Sequence, residues 1–363
     1  MRDERVRFAV VGLGNIAQAA VLPAFRHARE GCVLAALLSS DPKKIAPLSK
    51  EYDIQHCGPY EDLEDVLADA EIDAAYVAVP NSLHREMTER CARAGVHVLC
   101  EKPMAMSTRD CQAMIRTCDD NDVKLMIAYR LHFDPANLRA IELARSGKLG
   151  HLRHFTSTFA HDVRADDIRT KSKTGGGALF DLAIYCVNAA RNLFGDEPEE
   201  VCAFQSLTDR GVDETTTAIL RFPGDRFAQL TASQSAADAD VYRIGGTRGT
   251  LRVEPAFDYR SSLAHHLTIG KKTTTKKFPR SDQFAPELLH FAECIVDDEE
   301  PEPSGEEGLA DVRVLEALVE SARLRQPVTL APFERRRRPS RALERTKPPV
   351  RRPTIVRAPG PDR

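Results

Sequence analysis

The first 130 residues alternate short apolar runs with segments whose apolar positions fit a helical period. The runs contain mainly aliphatic residues and occupy Val6–Val11, Val33–Leu38, Ala74–Val79, Val96–Cys100 and Lys124–Ile127. Short runs without polar alternation are typical of strands that are buried on both faces of a parallel sheet. The regular alternation with helices therefore predicts a doubly wound α/β domain over residues 1–130.

From Leu152 onward the runs have high β propensity and are separated by turn residues such as Pro223 and Gly224. They cover Phe155–Phe159, Val201–Leu207, Thr215–Phe222, Phe227–Ser233, Tyr242–Ile244, Thr250–Val253 and Leu267–Ile269. This pattern predicts a large, mostly antiparallel open sheet in an α+β domain over residues 131–330. Helices are predicted at Ala178–Phe194, Ala285–Val296 and Gly308–Arg325, the last two closing this second domain.

Residues 331–363 form a basic tail that is rich in arginine and proline. The tail has eleven Arg and Lys against three acidic residues, a net charge of +8, which leaves −11 for the rest of a chain whose total is −3. Its low apolar content predicts disorder, because little surface can be buried to offset the entropy of ordering. The acidic body gives no support for nucleic-acid binding.

The remaining composition is that of a globular protein. Nine cysteines occur without a Cys-x-x-Cys pair, which favours reduced thiols over disulfides or a metal site. The apolar runs are too short to span a bilayer, and the first residues lack the apolar segment of a signal peptide. We therefore expect a cytoplasmic protein with no metal site and no membrane partner.

A glycine-rich turn follows the first predicted strand as Gly12-Leu13-Gly14-Asn15-Ile16-Ala17. In the dinucleotide-binding fold, such glycines permit the tight turn and the close approach of a pyrophosphate to the backbone. Because this turn lies between a strand and a helix, with a second strand about twenty residues later, it predicts a Rossmann domain. A glycine-rich turn without a ligand is the alternative.

The end of the second predicted strand carries hydroxyls instead of the carboxylate that an NAD-preferring fold usually places there. Ser39 and Ser40 stand at this position, followed by Asp41, Pro42, Lys43 and Lys44. Hydroxyl and ammonium groups suit the 2′-phosphate of NADP. Ser40 or Asp41 also fits a helix N-cap, with Pro42 in the first turn, and that interpretation is compatible with a phosphate site.

Two further segments carry candidate catalytic groups. Lys102 follows the run that ends at Cys100 and precedes Pro103, so its ammonium should project from the carboxyl end of a strand, where ligands bind in such sheets. Asp181 and Tyr185 lie four residues apart after a Gly175–Gly177 triplet and share a helical face, with Asn188 one turn further. A surface lysine, a capping aspartate and a packed tyrosine are the structural alternatives.

Taken together, five motifs resemble the Gfo/Idh/MocA oxidoreductases, and most closely the glucose–fructose oxidoreductase branch. The motifs are the glycine-rich turn, Val79-Pro80-Asn81-Ser82-Leu83-His84, Cys100-Glu101-Lys102-Pro103-Met104, Tyr129-Arg130-Leu131-His132-Phe133 and the triplet with Asp181 and Tyr185. The resemblance spans roughly residues 5–330. It implies a Rossmann domain with an open-sheet second domain, NAD(P), a sugar or polyol substrate, and a homodimer or homotetramer formed through the second sheet.

The resemblance also implies roles for individual residues. Lys102 matches the active-site lysine, Asp181 the substrate-orienting acid, and Tyr185 the proton-transfer residue that many relatives have as histidine. The implied cofactor-binding residues are Gly12, Gly14, Asn15, Ile16, Ser39, Ser40, Lys44, Pro80, Asn81, His84, Glu101, Lys102 and Arg130. One departure is Ala183, which stands where the family usually has glycine.

We therefore predict an NADP-dependent oxidoreductase, with NAD as a possible cofactor, that acts on C1 of a glucose- or xylose-like aldose or on a related polyol. A dinucleotide-binding regulator without catalysis is one alternative, which the presence of Lys102, Asp181 and Tyr185 opposes. A redox glycosidase that uses bound NAD is another, although such relatives resemble the histidine version of the motif.

Overall fold

Parallel strands form the first sheet, as the alternating apolar runs predict. In the part of the chain that the computed structural model describes, which is residues 5–335, 337–351 and 353–361, this sheet has six strands. They are β1 (Val6–Val11), β2 (Cys32–Leu38), β3 (His56–Gly58), β4 (Ala74–Val77), β5 (His97–Glu101) and β6 (Leu125–Ala128). Their order is β3-β2-β1-β4-β5-β6, which is the doubly wound arrangement of a Rossmann domain.

Helices connect these strands and begin at the caps that the sequence indicates. They are α1 (Leu22–Ala24), which continues a π-helical turn at Ala17–Val21, α2 (Pro42–Tyr52), α3 (Leu63–Asp69), α4 (His84–Arg93) and α5 (Thr108–Asp120). The Ser107 hydroxyl accepts a hydrogen bond from the Asp110 N–H at the start of α5. Asp41, not Ser40, caps α2 by accepting from the Lys43 N–H. Both caps satisfy amides that the helix leaves unpaired.

The second sheet is mixed but mostly antiparallel, as predicted. Its strands are β7 (Leu152–Ala160), β8 (Glu200–Leu207), β9 (Asp213–Phe222), β10 (Arg226–Ser233), β11 (Ala239–Gly246), β12 (Gly249–Val253), β13 (Leu263–Ile269), β14 (Lys272–Phe278) and β15 (Val328–Thr329). The order is β14-β13-β12-β11-β7-β10-β9-β8-β15, and among the described strands of this second sheet only β7 and β10 pair in parallel. Helices α6 (Pro135–Arg145) and α7 (Ile184–Phe194) belong to the same unit.

Alternation along the central strands explains why helices cover one face of this sheet. On β9, Ala218, Leu220 and Phe222 are buried, whereas the intervening Ile219 and Arg221 are exposed. Helix α7 packs against β7 and β10 on the buried side. A period of two residues is the expected pattern for a sheet with one covered face.

The division of the chain into two compact units differs from the predicted boundaries after residue 280. The first unit comprises residues 1–130, 281–309 and 346–360, and the second comprises 131–280, 310–345 and 361–363. Helix α8 (Ala285–Val296) therefore lies in the first unit, and α9 (Gly305–Leu324) begins there and continues in the second. The Phe291 ring of α8 lies 6.4 Å from the Phe8 ring of β1. An apolar helical face does not specify which sheet covers it.

The basic tail differs from the predicted disorder, because its described residues form specific contacts within each unit. In the first unit, the Val356 N–H donates to the Gln18 side chain at 2.7 Å. In the second, Arg338 donates to Glu197 at 2.8 Å. Backbone hydrogen bonds and ion pairs to an acidic body hold this segment, so a criterion based on apolar content alone fails for it.

Two further observations concern the cysteines and the helices. All nine cysteines lie in the described part of the chain, form no disulfide there, and are mostly buried. Across the described residues, no helix is both long enough and apolar enough to cross a membrane.

Candidate active site

The carboxyl edge of the first sheet collects most of the residues predicted to bind the cofactor. The segments that follow β1, β2, β4, β5 and β6 are Gly12–Ala17, Ser39–Lys44, Ala78–Asn81, Lys102–Met104 and Tyr129–Arg130. Parallel strands bring these segments to the same edge, and the order reverses beside β1, where dinucleotides bind in this topology.

The glycine turn has the geometry that its sequence predicts. Gly12 has a φ of +105°, and a Cβ at this position would overlap the carbonyl of Ala78. Its N–H donates to the Leu38 carbonyl at 2.9 Å, which fixes the turn to the end of β2. At Gly14 the nearest neighbour of an added Cβ would be 4.0 Å away, so this side of the turn is open to a ligand. Ile16 precedes the π-helical turn, and no side chain caps that start in the described structure.

The end of β2 provides a site for a phosphate. Ser39 is buried, and its hydroxyl accepts from the Asp41 N–H at 3.1 Å. Ser40 is exposed and forms a hydrogen bond with the Tyr60 side chain. Burial raises the pKa of Tyr60, whereas this hydrogen bond acts to lower it. Burial lowers the pKa of Lys44; the Asp41 carboxylate opposes this effect, and the Arg357 charge adds to it. The charged form of such a half-buried ammonium is stabilised when an anion is nearby.

Asp41 is the carboxylate that could instead bind the 2′-hydroxyl of NAD, and the structure engages it elsewhere. One oxygen accepts from the Lys43 N–H at 3.1 Å as the cap of α2. The other accepts from Nε of Arg357 at 3.2 Å. Burial acts to raise the pKa of Asp41, but the Arg357 hydrogen bond and charge, with Lys43 and Lys44, lower it overall.

Lys102 follows β5 directly, as predicted, and the preceding Glu101 is tied to the sheet. Glu101 accepts from the Tyr76 hydroxyl at 2.8 Å and from the Lys102 backbone N–H at 3.3 Å. Burial raises the pKa of Glu101, while the charges of Lys102 and Arg130 and the Tyr76 bond act against this rise. The Glu101 side chain therefore orients the segment that carries Lys102.

His84 is buried at the start of α4 rather than open at the edge of the sheet. Its two ring nitrogens lie 2.8 Å from the Pro103 carbonyl and 3.0 Å from the Val79 carbonyl. Burial lowers the pKa of His84 against the effect of both carbonyls. We propose a positioning role for His84, since it links the loops after β4 and β5. Pro80 and Asn81, on one of those loops, are partly exposed.

Behind this edge, Arg130 and the Glu287 carboxyl of α8 form a buried polar cluster. The sequence pattern does not predict this cluster. Arg130 donates to the Gln283 side chain. Glu287 is 0 % exposed, and neither of its carboxyl oxygens has a hydrogen-bond partner in the described structure. Burial raises the pKa of Glu287 well above its usual value, and the nearby Glu101 adds to the rise.

This cluster gives a prediction about stability. Because the pKa of Glu287 is raised in the folded chain, the folded state holds the proton more tightly than the unfolded state. Stability is therefore lost as the pH rises above about 4, the unfolded value. Glu287→Gln should reduce this loss between pH 4 and pH 7 by about 1–3 kcal/mol, measured by denaturant unfolding. The exposed Glu51→Gln is the control, and an unchanged pH dependence in Glu287→Gln would contradict the assignment.

In the second unit, the glycine triplet is needed for steric reasons. A Cβ on Gly176 would overlap the Arg169 carbonyl, and one on Gly177, whose φ is +131°, would overlap the Asp213 carboxylate. Asp213 accepts from the Leu179 N–H at 2.6 Å at the start of a π-helical turn, Leu179–Ala183, which continues into α7. Burial raises the pKa of Asp213 to about 6.

Asp181 and Tyr185 lie on this helical segment, as predicted. The Asp181 carboxylate is 3.2 Å from Nε of Arg169 and 3.4 Å from the Gln234 amide. The partly exposed Tyr185 ring stands edge-on to Phe159 at a centroid distance of 5.5 Å. The sequence reasoning missed Arg169, Gln234 and Phe159, since they come from separate loops and strands.

Asn188 does not continue this line of site residues. Its side chain belongs to a buried network, in which it lies 3.0 Å from Nε2 of His132 and donates to Asp311 at 2.8 Å. Arg191, which is fully buried, joins the same network through Asp311 and Glu197. This network holds α7 in place and does not present an amide to a ligand.

Comparison with known proteins agrees with these features. Residues 6–129 match the model of an oxidoreductase family with an NAD-binding Rossmann fold, and residues 137–252 match the GFO/IDH/MocA C-terminal domain. The chain belongs to the Gfo/Idh/MocA oxidoreductase family. The predicted family, two-part α/β fold and oxidoreductase class are confirmed.

Several known proteins are similar to this chain over most of their length. A D-xylose 1-dehydrogenase [NADP(+)] of Haloarcula marismortui is 33% identical over 90% of this chain and 94% of its own. An aldose-aldose oxidoreductase from Caulobacter crescentus, solved with glycerol, is 36% identical with a TM-score of 0.84, covering 90% of this chain and 100% of that one. A 3-ketoreductase from Actinomadura kijaniata, solved with NADP and TDP-benzene, is 26% identical with a TM-score of 0.81, covering 87% and 98%.

A metal centre was not expected from the sequence. Among the described residues, no group of three or more His, Cys, Asp or Glu side chains is arranged to hold a metal ion.

Proposed function

We propose that this protein is an NADP-dependent oxidoreductase that acts on C1 of an aldose such as xylose or glucose. The observation that carries the proposal is the similarity over 94% of the length of an NADP-dependent D-xylose 1-dehydrogenase. Two features support it: Lys102 directly follows β5, and Asp181 and Tyr185 lie on one helical segment.

The end of β2 fits NADP better than NAD. A half-buried Lys44, a serine hydroxyl and a basic helix start suit a phosphate, whereas the one nearby carboxylate, on Asp41, is engaged as a cap and in an ion pair. A guanidinium or ammonium group forms charge-assisted hydrogen bonds with a phosphate. A neutral ribose hydroxyl cannot form bonds of this kind.

Ser39→Asp tests this cofactor preference. A carboxylate at the end of β2 would repel the 2′-phosphate and accept from the ribose hydroxyl. We expect affinity for NADP to fall by about 10- to 100-fold relative to NAD, as for a lost hydrogen bond to a charged group. Equilibrium binding of both cofactors measures this ratio, with Ser39→Ala as the control for removal of the hydroxyl alone. Tighter binding of NAD than of NADP by the unmodified protein would contradict the preference.

The side chains have distinct proposed roles in the reaction. When bound, NADP would supply the hydride acceptor for oxidation of the sugar carbinol and the hydride donor for the reverse reduction. Tyr185 removes the proton of the C1 hydroxyl, or returns it in reduction. Lys102 polarises the sugar oxygen. Asp181, held by Arg169 and Gln234, accepts hydrogen bonds from sugar hydroxyls and orients the ring.

A substrate screen tests this proposal. Aldoses and polyols are incubated with NADP or NAD, and reduced nicotinamide is followed by absorbance. We expect turnover with xylose or glucose and NADP, and formation of the corresponding lactone or acid. Cofactor binding without turnover of any sugar would favour the regulator instead.

A second candidate activity is oxidation of one aldose coupled to reduction of another, with NADP retained. The 36% identity with an aldose-aldose oxidoreductase favours considering it. In that case aldonic acid and alditol would form in equal amounts without net accumulation of NADPH, which product analysis distinguishes from simple dehydrogenation.

We also propose that the second sheet forms a homodimer or homotetramer through its outer face. Phe204, Ile219 and Phe227 are 68%, 52% and 45% exposed, and strand pairing places them on one face. Three exposed large apolar residues on one sheet face are typical of an interface. Phe204→Asp should reduce the mass measured by light scattering, whereas Val296→Asp, at a similarly exposed residue of α8 in the first unit, should not. A monomeric unmodified protein would contradict the proposal.

The nine cysteines form no disulfide in the described structure, which supports a reducing compartment, and we propose the cytoplasm as the location. Cell fractionation tests this, and recovery outside the cytoplasmic fraction would contradict it.

A further inference from the structure

The C-terminal segment of the chain crosses the glycine turn of the Rossmann unit and is bound there by its backbone. The Val356 N–H donates to Oε1 of Gln18 at 2.7 Å, and Nε2 of Gln18 donates to the Val356 carbonyl at 3.0 Å. The Asn15 amide donates to the Ala358 carbonyl at 2.8 Å. Gln18 is 1% exposed, so its side chain is a fixed anchor. The side chains of Asn15, in the glycine turn, and Gln18, just after it, thus bind the backbone on both sides of Arg357.

Arg357 is held in an unusual conformation between these anchors. Its φ of 51° lies in the left-handed region, which is uncommon for a residue other than glycine. Such a conformation persists only where surrounding contacts impose it, and such positions are concentrated at functional sites. The result is that the guanidinium reaches the end of β2, where its Nε lies 3.2 Å from Asp41.

The charges at this position do not balance. Lys44 and Arg357 supply two cations close to the single carboxylate of Asp41, which leaves an excess of one positive charge, and the Lys43 backbone N–H donates to the same carboxylate. Arg357 influences the pKa of both Asp41 and Lys44, so these charges are close enough to interact. A phosphate monoester carries about −1.5 to −2 at neutral pH, so it would be attracted by this excess and would neutralise it. The ribose hydroxyl of NAD would leave it uncompensated.

We propose that residues 355–358 are an integral part of the dinucleotide site and that Arg357 binds the adenosine 2′-phosphate of NADP together with Lys44. This inference rests on the proposed use of NADP and assigns a specificity-determining residue to the tail. An arginine carries five N–H donors, so the bond between Nε and Asp41 leaves its amino groups for a phosphate.

The test is equilibrium binding of NADP, NAD and 2′-AMP to the full-length protein. In Arg357→Ala, we expect the Kd for NADP and for 2′-AMP to rise about tenfold or more, because one charge-assisted bond is lost. The Kd for NAD should change by less than about twofold, since NAD lacks the phosphate. Arg351→Ala is the matched control: it removes an exposed arginine from the same tail. Arg357→Lys should retain part of the affinity because it keeps the charge.

A second variant separates recognition from folding of the tail. Deletion of residues 354–363 removes Arg357 together with the backbone groups that bind Gln18 and Asn15, and should weaken NADP binding at least as much as Arg357→Ala. Hydrogen exchange at the Val356 amide should slow when NADP binds to the unmodified protein, because the phosphate would bind Arg357 and restrain the segment.

The outcomes distinguish this inference from the proposed function. Unchanged NADP affinity in Arg357→Ala, with tight NADP binding by the unmodified protein, overturns the inference alone. Equal losses for NADP and NAD would also overturn it, since the tail would then lack phosphate recognition. Tighter NADP binding in either variant would also overturn the inference, because the tail would then compete with the cofactor. Failure of the unmodified protein to bind NADP would overturn both proposals.

Discussion

Tyr185→Phe is expected to reduce kcat with the aldose substrate by about 10²- to 10⁴-fold, the usual contribution of a general acid–base group. The substitution removes one hydroxyl and leaves the ring against Phe159 at its 5.5 Å centroid distance. Affinity for NADP should therefore change little. Steady-state kinetics and direct cofactor binding, measured on the same preparation, separate these two effects.

The control for this experiment is Tyr52→Phe, which removes a phenol from α2 in the other unit. We expect its kcat to remain within about twofold of that of the unmodified protein, because the hydroxyl lies on a surface helix. If Tyr185→Phe retained almost full activity, the proton would have to move by another group, and the assignment of Tyr185 would be wrong even with the fold and cofactor correct.

Lys102→Met is the second substitution with a large expected effect. It removes the ammonium that polarises the sugar oxygen, so kcat should fall by at least about 10²-fold, as when a preorganised donor is lost from an active site. Since Lys102 is one residue after β5 and partly exposed, the change should not unfold the chain. Rates with the aldose and the thermal midpoint test both statements.

Two related variants make this result specific. Lys102→Arg keeps the charge and should recover part of the lost rate, whereas a purely structural lysine would show no dependence on charge. Lys50→Met removes an exposed lysine from α2 and should leave kcat unchanged. A rate for Lys102→Met close to that of the unmodified protein would contradict the catalytic role.

The elements that could be predicted from sequence are those whose signal is local. Strand β1 and helix α8 have the predicted bounds because an apolar run or helical period marks each end. Strand β3 was missed, since His56–Gly58 is short and carries no β-branched residue. Strand β14 was missed because six of its seven residues are exposed lysines and threonines at a sheet edge.

The candidate site divides in the same way. Motifs with fixed spacing located Lys102, Asp181 and Tyr185, because their spacing reflects one strand end and one helical face. Arg169 and Gln234 carry no such signal: what defines them is a contact with Asp181 from distant parts of the chain.

The tail illustrates a different limit. Its composition is that of a disordered segment, and the charge difference of +8 against −11 was visible in the sequence. Composition cannot show that a buried glutamine and a capping aspartate, Gln18 and Asp41, are placed to receive it. Electrostatic attraction between tail and body was the available signal, but its binding position depends on the folded structure.

Transfer of deuterium from C1 of the sugar is the most direct test of the central claim. The NADP-loaded protein is given D-xylose or D-glucose deuterated at C1, and the nicotinamide and sugar products are analysed after a single turnover. We expect the deuterium to appear on the reduced nicotinamide and the sugar to leave as the C1 lactone or acid. Reduced nicotinamide without deuterium, or no reduction with either aldose, would contradict it.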